Sequence, residues 1–115
     1  MLTSFCPVIC TSRMDASRAF YGRLLDLAAT RTTPWCTALG RPGEHRPVLT
    51  LLDHTHPALP AALRGAVRAV RLTLAVGDGP EAWERLAAHG AVDHPDRRHA
   101  VLTDPNGVRI DVVAA

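Results

Sequence analysis

The feature that most constrains this chain is a pattern that occurs twice. Residues 4–10 are apolar, rich in Val, Ile and Cys, and end at Thr11-Ser12, so they read as a strand. A helix follows to about Asp26, with Asp15 or Ser12 as its cap and Met14, Phe20, Leu24, Leu25 and Leu27 at near-helical spacing. Three short strands are predicted at residues 28–32, 35–40 and 47–53, divided by Thr33-Pro34 and by Arg41-Pro42-Gly43-Glu44. After a Pro-rich connection from His54 to about Ala66, Val70, Leu72, Leu74 and Val76 alternate with Arg71, Thr73 and Ala75, the mark of a half-buried strand. Asp78-Gly79-Pro80-Glu81 opens a second helix, with Pro near its first position and an acidic first turn, and it runs through Trp83, Leu86 and Ala87 to a Gly90 cap. Strands near residues 91–93, 99–103 and 108–113 complete the copy, the last two joined by the turn Asp104-Pro105-Asn106-Gly107. The chain therefore reads β-α-β-β-β twice. This is an α+β class in one domain, with module one at about residues 1–56 and module two at about 67–115. Two mixed copies of about 55 residues do not make a solenoid; they point to paired modules sharing one core.

Composition narrows the function classes. A hydrophobic share of 47% against 21% charged excludes disorder, and no apolar run approaches the roughly 20 residues a helical membrane crossing needs. The N-terminal residues show no secretory pattern, so a cytoplasmic location is expected. Cys6, Cys10 and Cys36 have neither disulfide-framework nor zinc-ribbon spacing. All 13 basic residues are Arg, spread without a dense cluster, and the net charge is +2, so nucleic acid is not an expected partner.

Two segments carry a resemblance. Ala19-Phe20-Tyr21-Gly22-Arg23-Leu24-Leu25-Asp26-Leu27 and Thr103-Asp104-Pro105-Asn106-Gly107-Val108-Arg109-Ile110-Asp111 are similar to signatures of the vicinal oxygen chelate superfamily. That superfamily includes glyoxalases, extradiol dioxygenases, fosfomycin-resistance enzymes and bleomycin-resistance proteins. The resemblance spans nearly the whole chain and implies concave mixed sheets that line a cavity, with helices on the outer face. In its metal-using members, four strand positions supply His and Glu side chains to one divalent ion. Those positions fall here on Cys6, Val48, Arg71 and Asp111. A guanidinium has no lone pair to donate and Val has no donor, so neither a metal nor another cofactor is expected. The chain is closest in character to the metal-free binding branch.

The polar residues left at that place are Arg71 and Asp111, expected to pair, either as internal glue or as an anchor for an oxygen-rich ligand. Strand alternation puts Cys6, Val8, Cys10, Thr50, Leu52, His54, Thr73, His99 and Arg109 on the cavity face, with Trp35 as an aromatic wall. The candidate ligand-binding set is Cys6, Trp35, Thr50, His54, Arg71, Thr73, His99, Arg109 and Asp111. Trp83 reads as core or interface, and His45, His89 and His94 as solvated. His54 and His56 beside Asp53 form a His-x-His, readable as a partial metal site or as a base with an orienting carboxylate. Cys6 near Arg71 has the elements of a nucleophile, though an inner-strand Cys is ordinarily an apolar filler.

Two functional readings stay open. One is metal-independent binding of a small organic metabolite or antibiotic, in the manner of a resistance protein, with the cavity within one chain or shared across a homodimer. The other is a metal-independent enzyme of secondary metabolism, an isomerase, cyclase or lyase, in which His99 or Asp111 moves a proton. A homodimer is expected because two half-open sheets leave apolar surface to cover.

Overall fold

The computed structural model describes residues 6–66, 71–76, 80–93 and 99–114. The chain divides into two compact units, Met1–Arg68 and Ala69–Ala115. Each carries one four-stranded mixed sheet. Among the described residues, no helix is long and apolar enough to cross a membrane.

Unit one runs β1 (Val8–Thr11), α1 (Met14–Leu25), β2 (Ala28–Thr33), β3 (Cys36–Gly40) and β4 (Pro47–Asp53). Its strand order is β1-β4-β3-β2, with β1 parallel to β4 and the other pairs antiparallel. One sheet face buries Ile9, Leu39, Leu49 and Leu51, and α1 adds Tyr21 and Leu24 to the core. The aromatic that is inserted is Tyr21, with no exposed surface, rather than Phe20, which is half-buried and meets the Tyr21 ring edge-on at 5.1 Å. Helical spacing places Ser17, Tyr21 and Leu24 on one stripe, and the small Ser17 lets the helix approach the strand. Neither Ser12 nor Asp15 caps α1: the cap position is Arg13, which makes no side-chain cap bond. The hydroxyl of Thr11, the last residue of β1, takes over part of that role, accepting the Arg13 N–H at 2.8 Å and lying 2.9 Å from the Ser17 hydroxyl. The helix ends at Asp26 in the left-handed conformation, φ 53°, which Asp tolerates better than most residues.

Unit two repeats the plan with β5 (Leu72–Val76), α2 (Pro80–Ala88), β6 (Val92–Asp93), β7 (His99–Thr103) and β8 (Arg109–Ala114). The strand order is β5-β8-β7-β6, with β5 parallel to β8. Ala100, Leu102, Ile110, Val112 and, from α2, Leu86 form its core. Gly90 stops α2 at φ +83°, a conformation costly for residues with a Cβ. The β7–β8 turn is organised by the buried Asp104 carboxylate, which accepts the N–H groups of Asn106 at 2.7 Å and Val108 at 2.8 Å.

The strands that open the two units begin later than the sequence pattern predicts, at Val8 and Leu72, and residues 4–5, Val70, Asp78-Gly79 and His94 lie outside the described residues. The connection after β4 holds an unforeseen 3-10 turn, Ala61–Leu63, fastened by Arg64, whose Nε and Nη2 donate to the carbonyls of Leu59 and Pro57, each at 2.8 Å.

Candidate functional site

In unit one, a cavity of about 590 Å³ is lined by β2, β3, β4 and the loop before β4. Its walls include Trp35, Cys36, Ala38, Pro47 and Thr50, with Arg31 and His45 as the lining groups able to carry charge. Pairing register explains the grouping. Arg31 is opposite Ala38, and Ala38 is opposite Thr50, so three strands contribute side chains to one row across the sheet. The middle member is only a methyl group, which leaves space above it. A bulge between Ala29 and Arg31 shifts the edge strand β2 by one residue and sets which of its side chains share that face. Gly40 lets the loop fold back: a Cβ there would lie 2.8 Å from both the Arg46 carbonyl oxygen and the Thr30 side chain.

Trp35 sits in the β2–β3 turn, where its carbonyl accepts the Asp53 N–H at 2.8 Å. Its ring lies 5.9 Å from that of His56, inclined at 52°, and the His56 Nδ1 accepts the Ala58 N–H at 3.0 Å. The Cys36 thiol is pushed up by burial, against an opposing pull from the Arg31 guanidinium. Asp53, at the end of β4, has its carboxyl held below the usual range, chiefly by the Thr55 hydroxyl.

The sequence-predicted residues of unit one fall unevenly. Trp35 and Thr50 line the cavity, and Cys6 reaches it indirectly, its Sγ 3.4 Å from the Thr50 hydroxyl. Val8 is half exposed and Cys10 is buried. His54 is outside the lining: its Nδ1 bonds the Arg64 carbonyl at 3.2 Å, while its Nε2 is buried without a partner among the described residues. A carbonyl only accepts, so Nδ1 donates and a neutral ring then presents a bare lone pair at Nε2. Arg31, Cys36 and His45 were missed as lining residues. His45 is exposed, as a turn residue should be, yet it lines the cavity. Arg31 lies on a strand with no apolar alternation, so only its pairing with β3 reveals its face.

In unit two, Asp111 is held from both sides. Arg71 Nη2 meets its Oδ2 and Arg109 Nη2 its Oδ1, each at 3.1 Å. The carboxylate side chain is 7% exposed, while the Arg71 and Arg109 side chains are 65% and 50% exposed. Thr73 is paired with Asp111 across β5 and β8. His99 opens β7 opposite Val113, and its side chain lies outside the described residues.

The model of a glyoxalase-like domain matches residues 7–113. The chain belongs to that family, and with it to the vicinal oxygen chelate superfamily. No curated protein sequence matches it. Solved structures share the fold. A lactoylglutathione lyase from Agrobacterium tumefaciens superposes with a TM-score of 0.68 at 16% identity, covering 100% of this chain and 96% of that one. TnmS3, an antibiotic binding protein from Streptomyces sp. CB03234, gives 0.66 at 23% identity over 99% and 98% of the two chains. A bleomycin-binding protein complexed with bleomycin gives 0.65 at 17% identity over 99% of each.

The ion used by metal-dependent members does not fit the residues present. Within each glyoxalase-like unit, the equivalent positions follow from register. Val8 pairs with Thr50 as Thr73 pairs with Asp111, and Cys6 touches Thr50 as Arg71 touches Asp111. Thr50, rather than Val48, is therefore the counterpart of Asp111. The four positions offer a thiol already on a hydroxyl, that neutral hydroxyl, a guanidinium without a lone pair, and a carboxylate with both oxygens engaged. Such a set does not make a divalent-ion site.

Proposed function

We propose that this protein binds and sequesters a small organic metabolite or antibiotic without a metal, as a cytoplasmic homodimer. The observation that carries the reading is the unit-one cavity, of about 590 Å³, with Trp35 in its wall beside apolar and hydroxyl side chains. Aromatic stacking and apolar burial supply affinity there, while a few polar groups orient the ligand. The bleomycin-binding and antibiotic-binding proteins of the same fold support this class of function. Arg71, Arg109 and Asp111 form a second polar anchor in unit two. The cysteines are thiols rather than disulfides, in accord with a reducing compartment.

The test uses 2-(hydroxymethyl)anthraquinone, a neutral polycyclic probe. It should quench tryptophan emission saturably, and Trp35→Ala should weaken binding by about 1–3 kcal/mol without unfolding the protein. Trp83→Phe should leave the affinity unchanged. Unchanged binding in Trp35→Ala, with the quench lost only in Trp83→Phe, would place the ligand elsewhere. Light scattering that returned a mass near 12.4 kDa would remove the dimer.

A second reading, proton transfer by a metal-independent isomerase, cyclase or lyase, is favoured by one observation, the buried Nε2 of His54 with its tautomer set by the Arg64 carbonyl. His99 keeps its place in that reading. Asp111 is the weaker base, because both of its oxygens already accept from guanidiniums. Chemical change of an incubated metabolite, abolished by His54→Gln, would select the enzyme over the binding protein.

A further inference from the structure

We infer that the unit-one cavity selects an aromatic anion, a fused-ring compound bearing a carboxylate, sulfonate or phosphate, with Arg31 reading the charge. The inference rests on that cavity being the ligand site and adds the chemical class of the ligand.

The lining contains a guanidinium and an imidazole, Arg31 and His45, and no carboxylate. Arg71 and Arg109 are engaged on Asp111, and Arg64 on two carbonyls. Arg31 is exposed at the rim of the cavity and, among the described residues, has no ion pair, so its guanidinium is open to a carboxylate of a ligand. Two of the three lining threonine hydroxyls are already committed. Thr30 donates to the Ala38 carbonyl at 3.3 Å and Thr33 to the Cys36 carbonyl at 3.4 Å. Beside the Trp35 indole N–H and the Thr50 hydroxyl, the lining donors able to bring positive charge to a ligand oxygen are Arg31 and His45. Arg31 faces inward by register, opposite Ala38 and in line with Thr50, and the Ala38 methyl leaves room for a ligand atom beside the guanidinium. Its charge acts on another lining group, the Cys36 thiol, where it opposes the effect of burial. Trp35 at the far end of the same strand pair supplies the flat surface. A ring system on Trp35 with an anionic substituent toward Arg31 satisfies both ends, whereas a cationic substituent would meet a like charge.

The experiment compares three probes of one ring system by calorimetry: anthraquinone-2-carboxylate, 2-(hydroxymethyl)anthraquinone and 2-(aminomethyl)anthraquinone. At low salt the carboxylate should bind roughly tenfold tighter than the alcohol, and the ammonium weakest. Arg31→Gln should shrink the carboxylate's advantage to within about threefold, and Arg31→Lys should retain part of it. Arg18→Gln, the same charge change on the exposed face of α1, should leave the advantage intact. Added salt should erode the advantage. Equal affinities for carboxylate and alcohol, preference for the ammonium, or an advantage that survives Arg31→Gln overturns the inference. Saturable, Trp35-dependent binding of the alcohol with no anion advantage ends this inference alone. Failure of all three probes to bind saturably ends both it and the reading of the cavity as a ligand site.

Discussion

The two units use one strand order for opposite ends. In unit one the contact at the parallel strand pair is neutral, Cys6 to Thr50, and the face beyond it opens into a cavity. In unit two the equivalent contact is ionic, Arg71 to Asp111, and Arg109 closes on the carboxylate's second oxygen. The backbone pairing is alike in both, Val8 with Thr50 and Thr73 with Asp111. What differs is whether the side chains at that register are small and neutral or long and charged. A βαβββ unit therefore fixes where a functional group stands without fixing what it does, and the chemistry is chosen position by position.

The comparison can be broken most forcefully at the cores. Tyr21→Ala removes a side chain with no exposed surface from unit one and should cost about 3–5 kcal/mol in urea unfolding. A loss below about 1 kcal/mol would mean that α1 is not what covers this sheet. The next effect separates the two equivalent positions. Asp111→Ala leaves two guanidiniums without their shared carboxylate and should cost about 1–2 kcal/mol, below the figure for a fully buried pair because both arginines are half exposed or more. Thr50→Val should stay within about 0.5 kcal/mol, since it removes only a weak thiol–hydroxyl contact. Equal losses at the two sites would erase the distinction between clamp and cavity.

Smaller effects sharpen the picture of unit one. Burial raises the Cys36 pKa, so its reaction with a disulfide reagent should be slow at neutral pH and accelerate only above the ordinary thiol range. Arg31→Gln removes the opposing pull and should slow it further, which stopped-flow labelling can follow. The smallest change concerns Asp53. Its folded pKa is lowered, so the stability it contributes is present above the unfolded carboxyl range and lost as pH falls through the folded value. Thr55→Val should move that titration upward, as read by carbon NMR of the carboxyl group, because the Thr55 hydroxyl at 2.5 Å is its main stabiliser.

The sequence by itself carried the doubled β-α-β-β-β order, the Gly90 stop, the Asp104 turn, the contact of Arg71 with Asp111 and the candidacy of Trp35. These depend on local rules: side-chain period along one strand or helix, backbone needs at a turn, and the chemistry of a charge that must be partnered. Tertiary structure alone decided that Tyr21 enters the core while Phe20 stays half-buried, and that Arg31 and His45 share a cavity with Thr50. It also decided that Thr50 rather than Val48 matches Asp111, and that Arg109 joins the clamp. The physical reason is register. Alternation tells which residues of one strand share a face, but a bulge or a one-residue slip between distant strands changes every cross-strand neighbour, and only the assembled sheet fixes that offset.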